Sequence, residues 1–278
     1  MTDEQYEEFF EPYAGNVEGF YEADYWKLSD ALVQELFRRH LQVRPGQHIL
    51  DAGGGTGRWG LWCAEALGVE VTVADKSSRM LETAASNVAA AGAGDKVHLV
   101  ECDLEDAPQL PDAAYDGVIS TYGVLSFLDN PAAAFETLHR VMKPGAHGLL
   151  MSHSLSNAVH SKINRDGADP AELRELMDTG IVKWAPHVPP LRVYSSQDLR
   201  DLGENAGLQV ERVFGVTTLA QPGPEDFGYP YQTISAVSKR LQEEEYFQTL
   251  LDLELKASEH PEWADRGVNL MVHVRKAG

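Results

Sequence analysis

Short apolar segments alternate with helical segments from about residue 45 onward, and this alternation limits the fold more than any other feature. The apolar segments are HILDA, VEVTVADKS, KVHLVECD, YDGVISTYG and AHGLLMSHS. One intervening helix opens at Ser77 or Ser78 and closes at Gly92, and another has Asn130 as N-cap before Pro131. Strands and helices in this order predict a parallel sheet with helices on both faces. Right-handed crossovers then place the strand carboxyl ends along one edge, where such sheets bind ligands.

Three stretches fall outside the alternation. Residues 1–44 contain an aromatic-rich segment followed by a helical pattern, which we interpret as a separate segment before a domain at 45–278. Residues 157–190 form an insertion rich in Gly, Asp and Pro. Residues 221–267 separate LQVERVFGV from a last strand, VNLMVHVRK, and contain a predicted helix from Ser235 to Ser258. Extra elements above the binding edge of a sheet predict a cap over a small acceptor.

Composition narrows the class of partner. The chain has 43 acidic and 23 basic residues and a net charge of −20, which argues against a nucleic-acid partner. No apolar run approaches the roughly 18 residues of a membrane helix, and the acidic start MTDEQYEEFF does not resemble a secretory signal. Two cysteines cannot make a disulfide framework or a four-cysteine zinc site. We therefore expect a cytoplasmic protein without a nucleic-acid or membrane partner, with a homodimer left open.

The loop after the first strand, GGGTGRWG, fits two glycine templates. Gly55, Gly57 and Gly60 give the dinucleotide pattern G-x-G-x-x-G. Gly53, Gly55 and Gly57 give G-x-G-x-G instead. Asp75 lies about 20 residues on, at the end of the second strand, where a carboxylate can accept from two ribose hydroxyls. Both templates bring a ligand close to the backbone, and a tight turn without a ligand is the third interpretation.

Acidic residues at the strand ends separate the two templates. Asp51 ends the first strand directly before the glycines, where a carboxylate suits an ammonium group and repels a pyrophosphate. Asp103 and Leu104 stand at the end of the third strand, where an acid beside a backbone N–H suits an adenine amino group. Lys143 and Gly145 lie in a predicted turn, MKPG, before the fifth strand.

These features together resemble the class I S-adenosylmethionine-dependent methyltransferases. The resemblance is carried by residues 49–57, Asp75, residues 102–104 and VMKPGAHGLLM, and extends over about residues 43–214. It implies a Rossmann-like, doubly wound, mostly parallel seven-stranded sheet, with VNLMVHVRK as an antiparallel last strand. It also implies an N-terminal helical lid and insertions after the fifth and sixth strands. The triple glycine departs from the family, in which Cys or Ser often follows the first glycine.

The resemblance further implies S-adenosylmethionine as the cofactor and S-adenosylhomocysteine as its product. Its expected contacts follow the strand ends: Gly53, Gly55 and Gly57 beside the methionine part, Asp51 at the ammonium through water, Asp75 at the ribose with Lys76 flanking, Asp103 and Leu104 at the adenine, and Thr121 with Tyr122 beside the sulfonium. Lys76 has a second interpretation, as a surface residue at a helix start.

The family has no fixed catalytic residue, so catalytic candidates come from position alone. His153 directly follows the fifth strand and is the first candidate for a base, although a histidine bonded to backbone is an equal interpretation. Tyr21 is the second candidate, from the predicted lid. Candidates for acceptor binding come from the lid and the two insertions, with core packing as the alternative for the lid residues: Tyr13, Tyr25, Trp26, His187, Tyr229 and Tyr231. The ten histidines show no metal-binding spacing, and we expect no metal.

The sequence thus predicts a methyltransferase for a small metabolite, acting on oxygen or nitrogen and less often on carbon. A tailoring step in natural-product biosynthesis fits this pattern. Two other hypotheses stay open at this stage. One is an NAD-dependent oxidoreductase, and the other is a non-catalytic member of the fold that binds the cofactor.

Overall fold

The computed structural model describes residues 22–184, 188–227 and 233–278. Within these ranges the strands are β1 (His48–Ala52), β2 (Glu70–Asp75), β3 (Val97–Glu101), β4 (Tyr115–Ser120), β5 (Met142–His153), β6 (Ile181–Val182), β7 (Leu191–Arg192), β8 (Leu208–Val216) and β9 (Asn269–Lys276). The α-helices are α1 (Asp24–His40), α2 (Arg58–Ala66), α3 (Ser78–Ala90), α4 (Val124–Phe127), α5 (Pro131–Val141), α6 (Leu155–Ser161), α7 (Pro170–Thr179), α8 (Ser196–Asn205), α9 (Ala236–Leu241) and α10 (Glu244–Ser258).

The main sheet has seven strands in the order β3-β2-β1-β4-β5-β9-β8. The first five pair in parallel, whereas β9 runs antiparallel to both β5 and β8. The predicted doubly wound sheet with an antiparallel last strand is therefore confirmed. Strand order reverses between β1 and β4, which is where sheets of this kind bind their ligands. No helix in the described ranges is both long and apolar enough to cross a membrane.

Local signals set the helix starts around this sheet. The Ser77 side chain accepts from the backbone N–H of Met80 and caps α3, and Asn130 caps α5 by accepting from Ala133. Each cap satisfies a helix N–H that has no partner within the helix. Gly92 follows α3 with a positive φ of 63°, so it ends that helix as predicted.

Two predicted boundaries were wrong. The segment MKPG belongs to β5 and is not a turn before it, because Met142 already pairs with Tyr115 of β4. A register shift after Tyr115 accommodates the extra residues. The single helix predicted from residue 235 to 258 is two helices, α9 and α10, separated by an extended Glu243. Each helix has its own buried anchor, Ser238 at Asp226 and Glu254 at the loop after β8.

The N-terminal helix α1 shares the core of the sheet domain. Leu32, Leu36 and Phe37 belong to the same apolar cluster as residues of β1 and β2. Tyr25 is fully buried, and its hydroxyl lies 2.6 Å from Thr217 Oγ1 just after β8. Burial raises the pKa of Tyr25 far above its usual range, so this phenol stays protonated. The proposed lid role of residues 1–44 stays a prediction.

The insertion after β5 forms a small unit of its own. It contains α6, a π-helical turn at Lys162–Asp166, α7, and the two-stranded antiparallel sheet of β6 and β7. Its apolar residues gather in a separate cluster: Ala158, Leu176, Val182, Leu191 and Val193. Lys162 is buried beneath it and pairs with Glu172 at 2.8 Å. The insertion is therefore ordered by its own core, and its role as an acceptor cap stays a prediction.

Three histidines lie together against the sheet away from its ligand-binding edge. His147 Nδ1 of β5 lies 2.8 Å from His273 Nε2 of β9, and the His40 ring of α1 lies 5.5 Å from that of His273. Burial, and then the neighbouring histidines, lower the pKa of His273 to about 3. Burial also lowers the pKa values of His40 and His147. The folded chain therefore disfavours protonation of these histidines.

We expect this cluster to make the protein sensitive to acid. Below pH about 6.5 the unfolded chain binds protons at these histidines more readily than the folded chain does. The free energy of unfolding therefore decreases as the pH is lowered. His273→Gln removes one such site and should reduce the slope between pH 6 and 4 by up to ~1.4 kcal/mol per pH unit. Urea unfolding at several pH values measures this slope. Equal slopes in the two proteins would show that His273 titrates normally in the fold.

Candidate cofactor site

The glycine loop after β1 is fastened to the end of β2 by backbone hydrogen bonds. The N–H groups of Gly53 and Gly54 donate to the carbonyl of Ala74 at 2.7 and 3.1 Å. The N–H of Gly55 donates to Asp75 Oδ2 at 2.8 Å. These contacts hold the loop across the carboxyl ends of two neighbouring strands, at the binding edge that the sequence predicts.

Each glycine of the loop has its own physical reason. Gly53 has a φ of +71°, and a Cβ there would lie 2.5 Å from a Val124 methyl carbon. Gly57 has a φ of +77° at the N-cap of α2. Gly55 also has positive φ, but no atom lies within 4 Å of where its Cβ would stand. The loop is therefore tight beneath Gly53 and open above Gly55, which leaves bare backbone for a ligand to approach.

Gly54, the residue that departs from the family pattern, packs directly on Asp51. A Cβ at Gly54 would lie 2.7 Å from Asp51 Oδ2 and 2.7 Å from a methyl carbon of Val73. With the backbone as it stands, any side chain at this position has to displace the Asp51 carboxylate. The absence of a side chain at Gly54, the second glycine of the run, therefore allows Asp51 to take its position in this chain.

Asp51 is a buried carboxylate without a hydrogen-bond partner. It is 0 % exposed, and neither oxygen has a partner among the described residues. Burial raises the pKa of Asp51 to about 7, and Asp75 raises it further. The nearby Gly60 amide, which lies outside hydrogen-bonding geometry, lowers this pKa in part. An unpaired buried carboxylate is costly unless a cation or donor reaches it. The arrangement suits an ammonium group, directly or through water, and opposes a phosphate.

Replacing Asp51 by Asn should affect stability and ligand affinity in opposite directions. The folded pKa of Asp51 is raised, so its stabilising contribution is present below pH about 4 and is lost as pH rises through 7. At pH 8 Asp51→Asn should therefore raise the melting temperature of the ligand-free protein by at least ~2 °C. Affinity for S-adenosylhomocysteine should fall by about 1 kcal/mol. Calorimetry and thermal unfolding on the same samples measure both, and a lower melting temperature would contradict this account of Asp51.

Asp75 ends β2 and already accepts two backbone hydrogen bonds. Gly55 N–H reaches one oxygen and Ser77 N–H reaches the other at 2.9 Å. Each carboxylate oxygen has a second lone pair, so Asp75 can still accept from two neighbouring hydroxyls. Burial raises the pKa of Asp75, while the amides of Ser77, Gly55 and Lys76 oppose the shift. The geometry suits the predicted ribose contact, which stays a prediction.

The predicted adenine residues lie beside Asp75. Lys76 Nζ pairs with Asp103 Oδ2 at 2.9 Å, and Asp103 Oδ1 accepts from the N–H of Glu105 at 3.0 Å. The Leu104 side chain is 6 % exposed and belongs to the core. If Leu104 contacts a ligand, it therefore does so mainly through its backbone. The ion pair gives Lys76 a defined partner at this edge of the sheet.

The loop after β4 carries a strained tyrosine that links the site to α1. Thr121 is buried, and Tyr122 has a φ of +48°, a conformation that costs a non-glycine residue on the order of 1–2 kcal/mol. The Tyr122 hydroxyl donates to Asp30 Oδ1 at 2.6 Å. Arg58, directly after the glycine loop, also hydrogen-bonds the Asp30 carboxylate. Asp30 therefore joins α1 to both loops of the candidate site.

Sequence reasoning missed Asp30 and Arg58. In the sequence Asp30 is one polar residue of an amphipathic helix. Arg58 is a cation at a helix start, and no Asp or Glu stands three or four residues after it to suggest an ion pair. Their contact joins residues 28 positions apart. The available signal was weak: a short charged residue on an otherwise buried helix face.

His153, the predicted base, stands at the end of β5 beside the same loop. Its Nδ1 lies 3.0 Å from Asn269 Oδ1, and its backbone N–H donates to Ser126 Oγ at 3.1 Å. A Cβ on Gly123 would lie 2.7 Å from His153 Nε2. Burial lowers the pKa of His153, and the Asn269 hydrogen bond raises it in part. The ring partner is a side-chain amide at the start of β9, which sequence reasoning did not identify.

The remaining candidates divide into two groups. Trp26 is nearly buried, donates from Nε1 to the carbonyl of Asp226 at 2.6 Å, and has its ring 6.0 Å from that of Tyr122. Tyr25 is buried in the core, which agrees with its packing interpretation. The other lid and insertion candidates lie outside the described residues: Tyr13, Tyr21, His187, Tyr229 and Tyr231. An acceptor role for Trp26 stays a prediction.

Comparisons with known proteins agree with the fold and the glycine loop. Residues 49–145 match a family described as a methyltransferase domain. A tRNA 5-carboxymethoxyuridine methyltransferase of Escherichia coli K12 is 28% identical over 170 residues, which are 56% of this chain and 62% of that protein. The match thus spans less than two thirds of that relative. A ubiquinone/menaquinone biosynthesis C-methyltransferase of Coxiella burnetii is 24% identical over 190 residues, 68% of this chain and 70% of that protein.

Solved structures share the fold at low sequence identity. One is from the Haloferax volcanii complex between the Trm112 methyltransferase activator and a methyltransferase, with a TM-score of 0.63, 17% identity, and coverage of 97% of this chain and 96% of that chain. The Streptomyces coelicolor geranyl diphosphate C-methyltransferase follows with a TM-score of 0.57, 14% identity and coverage of 90% and 79%. The [4+2]-cyclase SpnF has a TM-score of 0.55, 18% identity and coverage of 91% and 82%.

Fold, strand-end acids and sequence matches define one class of protein. Residues 49–145 carry a methyltransferase domain, and the fold and the relatives support a class I S-adenosylmethionine-dependent methyltransferase. This assignment replaces the hypothesis of an NAD-dependent oxidoreductase, which was based on the dinucleotide pattern in the same glycine loop. The cofactor of the class is S-adenosylmethionine.

Proposed function

We propose that this chain transfers a methyl group from S-adenosylmethionine to oxygen or nitrogen of a small-molecule acceptor, with carbon as a less favoured acceptor atom. The observation that carries the proposal is the unpartnered, fully buried Asp51 carboxylate beneath the glycine loop. A buried acid of this kind is stabilised by a cationic or hydrogen-bond-donating ligand, and the amino acid part of S-adenosylmethionine has an ammonium group.

The residues at this edge fit the whole cofactor. Asp51 supplies a site for the ammonium, and the open side of Gly55 leaves room for the methionine chain. Asp75 has lone pairs left for two ribose hydroxyls after its two backbone contacts. The Lys76–Asp103 pair lies next in line for the adenine. The order of groups along the strand ends therefore matches the order of groups in the ligand.

The cofactor supplies a methyl group on a positively charged sulfur that a nucleophile can displace. The chain's own contribution is to hold the acceptor in line with that group and to exclude water. We assign these tasks to the loop 121–123, to the lid at 1–44 and to the insertions at 157–190 and 221–267. The two cysteines are buried and form no disulfide with each other, which fits a cytoplasmic location.

The net charge of the chain supports a small acceptor over RNA. The relatives' names point in two directions, because one is a tRNA methyltransferase and another is a C-methyltransferase of ubiquinone/menaquinone biosynthesis. A net charge of −20 repels the negatively charged backbone of RNA. RNA binding draws much of its affinity from basic side chains that displace cations from the phosphates. The acidic surface is compatible with a small organic acceptor. A tailoring reaction on a natural product is the setting that we favour.

Turnover with labelled S-adenosylmethionine tests the proposal. The protein is incubated with a panel of small hydroxyl- and amine-bearing acceptors and, separately, with total tRNA. Label in a small product supports the proposal, and label only in tRNA replaces the acceptor class. Cofactor binding without methyl transfer to any acceptor, including intermediates made by the enzymes of neighbouring open reading frames, would favour a non-catalytic member of the fold.

A further inference from the structure

We infer that Asn269 is a positioning residue that holds His153 as the base for an acceptor hydroxyl. The inference deepens the proposed function and rests on it. It goes beyond the sequence candidate His153 in two ways. It identifies the group that fixes the imidazole, and it narrows the acceptor to one that loses a proton from oxygen.

The two side chains are placed by the sheet itself. His153 is the last residue of β5, Asn269 is the first residue of β9, and the two are direct partners in the antiparallel register. His153 Nδ1 lies 3.0 Å from Asn269 Oδ1. A carbonyl oxygen can only accept, so Nδ1 carries the proton and Nε2 of the neutral ring keeps its lone pair. Asn269 is 2 % exposed, which fixes its amide in one environment.

The lone pair of Nε2 is directed to the loop after β4. A Cβ at Gly123 would stand only 2.7 Å from Nε2, so the ring edge packs close to this glycine and any side chain there would obstruct the nitrogen. Gly123 follows Thr121 and Tyr122, the residues expected beside the sulfonium. No described residue hydrogen-bonds Nε2, and the His153 side chain is partly exposed. Nε2 therefore lies beside the loop that we expect next to the sulfonium.

The surroundings of His153 favour a neutral ring. The hydrogen-bond partner of the ring, the Asn269 amide, is uncharged. Burial has the larger influence and lowers the pKa of His153, and the Asn269 hydrogen bond raises it in part. A neutral ring with a fixed Nδ1–H is an acceptor at Nε2 near pH 7. A neutral amine acceptor needs no such group at the start of the reaction, whereas a hydroxyl does.

The step that follows balances in atoms and charge. The acceptor oxygen attacks the methyl carbon, so an O–C bond forms and the C–S bond breaks with its electron pair going to sulfur. The hydroxyl proton passes to His153 Nε2. The resulting imidazolium stays hydrogen-bonded to Asn269 Oδ1 through Nδ1 and afterwards releases its proton to water.

Nitrogen-15 NMR of the histidine rings in the intact ligand-free protein tests the positioning directly. His153→Gln assigns the signals of His153. We expect the wild-type ring to be the Nδ1–H tautomer with a pKa below its ordinary value. Asn269→Asp keeps an acceptor and should retain this tautomer while raising the pKa by about one unit or more. Asn269→Ala should shift the ring toward the Nε2–H form. Ser126→Ala, which removes only the contact to the His153 backbone, should leave the tautomer unchanged.

Activity gives the second measurement once an acceptor is found. His153→Gln should lower kcat/KM for a hydroxyl acceptor by about 10²–10⁴-fold, with Asn269→Asp far less affected than Asn269→Ala. Calorimetry with S-adenosylhomocysteine should give the same affinity in all these variants.

Two results would overturn the inference. One is a wild-type His153 protonated at Nε2, which would mean that the Asn269 amide donates. The other is a tautomer that neither Asn269 variant changes. If Asn269→Ala does not fold, the wild-type tautomer and the Asn269→Asp pKa still decide. A wild-type protein that fails to bind S-adenosylhomocysteine would instead refute the proposed function, whatever the tautomer of His153.

Discussion

Glu254→Ala should lower the free energy of unfolding by about 3–5 kcal/mol, the largest effect that we expect from a single substitution in this chain. Glu254 of α10 is 0 % exposed and accepts from the backbone N–H groups of Thr218, Leu219 and Ala220 at 2.7, 2.9 and 2.6 Å. It also accepts from the Thr218 hydroxyl at 3.1 Å. Alanine would leave these donors without a partner, two of the amides in buried residues.

Thermal and urea unfolding measure this loss, which corresponds to a decrease in melting temperature of roughly 6 °C or more. Glu254→Gln is the matched control because it keeps the volume and one acceptor oxygen. Its NH2 group faces amides that also donate, so we expect an intermediate loss. If Glu254→Ala lost less than about 1 kcal/mol, water would have to replace the carboxylate, and the loop after β8 would not depend on Glu254.

Asp75→Ala should weaken binding of S-adenosylhomocysteine by about 1–3 kcal/mol, or roughly 5- to 150-fold. Two losses contribute. The ribose hydroxyls lose a charged acceptor, and the N–H groups of Gly55 and Ser77 lose the carboxylate that orders the loop. Isothermal calorimetry measures the affinity, with circular dichroism to confirm the fold.

Asp95→Asn serves as the control for the loss of one negative charge, since Asp95 is exposed in the turn before β3. Its affinity should equal that of the wild type. An Asp75→Ala protein that folds normally and binds S-adenosylhomocysteine as tightly as the control would place the ribose elsewhere, although the family assignment would stand.

Patterns within short segments predicted the sheet and its binding edge. The alternation of strands and helices, the Ser77 and Asn130 caps, and the glycine run after β1 are all local signals, and each depends on only a few neighbouring residues. Parallel topology then brings Asp51 and Asp75 to one edge without further information. For this reason the strand ends could be identified as the site before any contact was known.

Contacts between distant segments could not be predicted in the same way. His153 and Asn269 meet across 116 residues because β9 enters the sheet antiparallel beside β5. Asp30 reaches Tyr122 across 92 residues because α1 packs on the sheet beside the loop after β4. The split between α9 and α10 likewise depends on the buried partner of each helix. Such pairings are set by tertiary packing, which leaves little trace in local residue spacing.

The central claim is that carboxylates at the strand ends bind a cationic, nucleoside-linked amino acid where bare backbone makes room for it. Calorimetric titration of the wild-type protein at pH 8 with S-adenosylhomocysteine, and separately with NAD, tests it most directly. The account predicts saturable binding of S-adenosylhomocysteine, weakened in Asp51→Asn and more strongly in Asp75→Ala, and no heat from NAD. Saturable binding of NAD, or no binding of S-adenosylhomocysteine by folded protein, would contradict it.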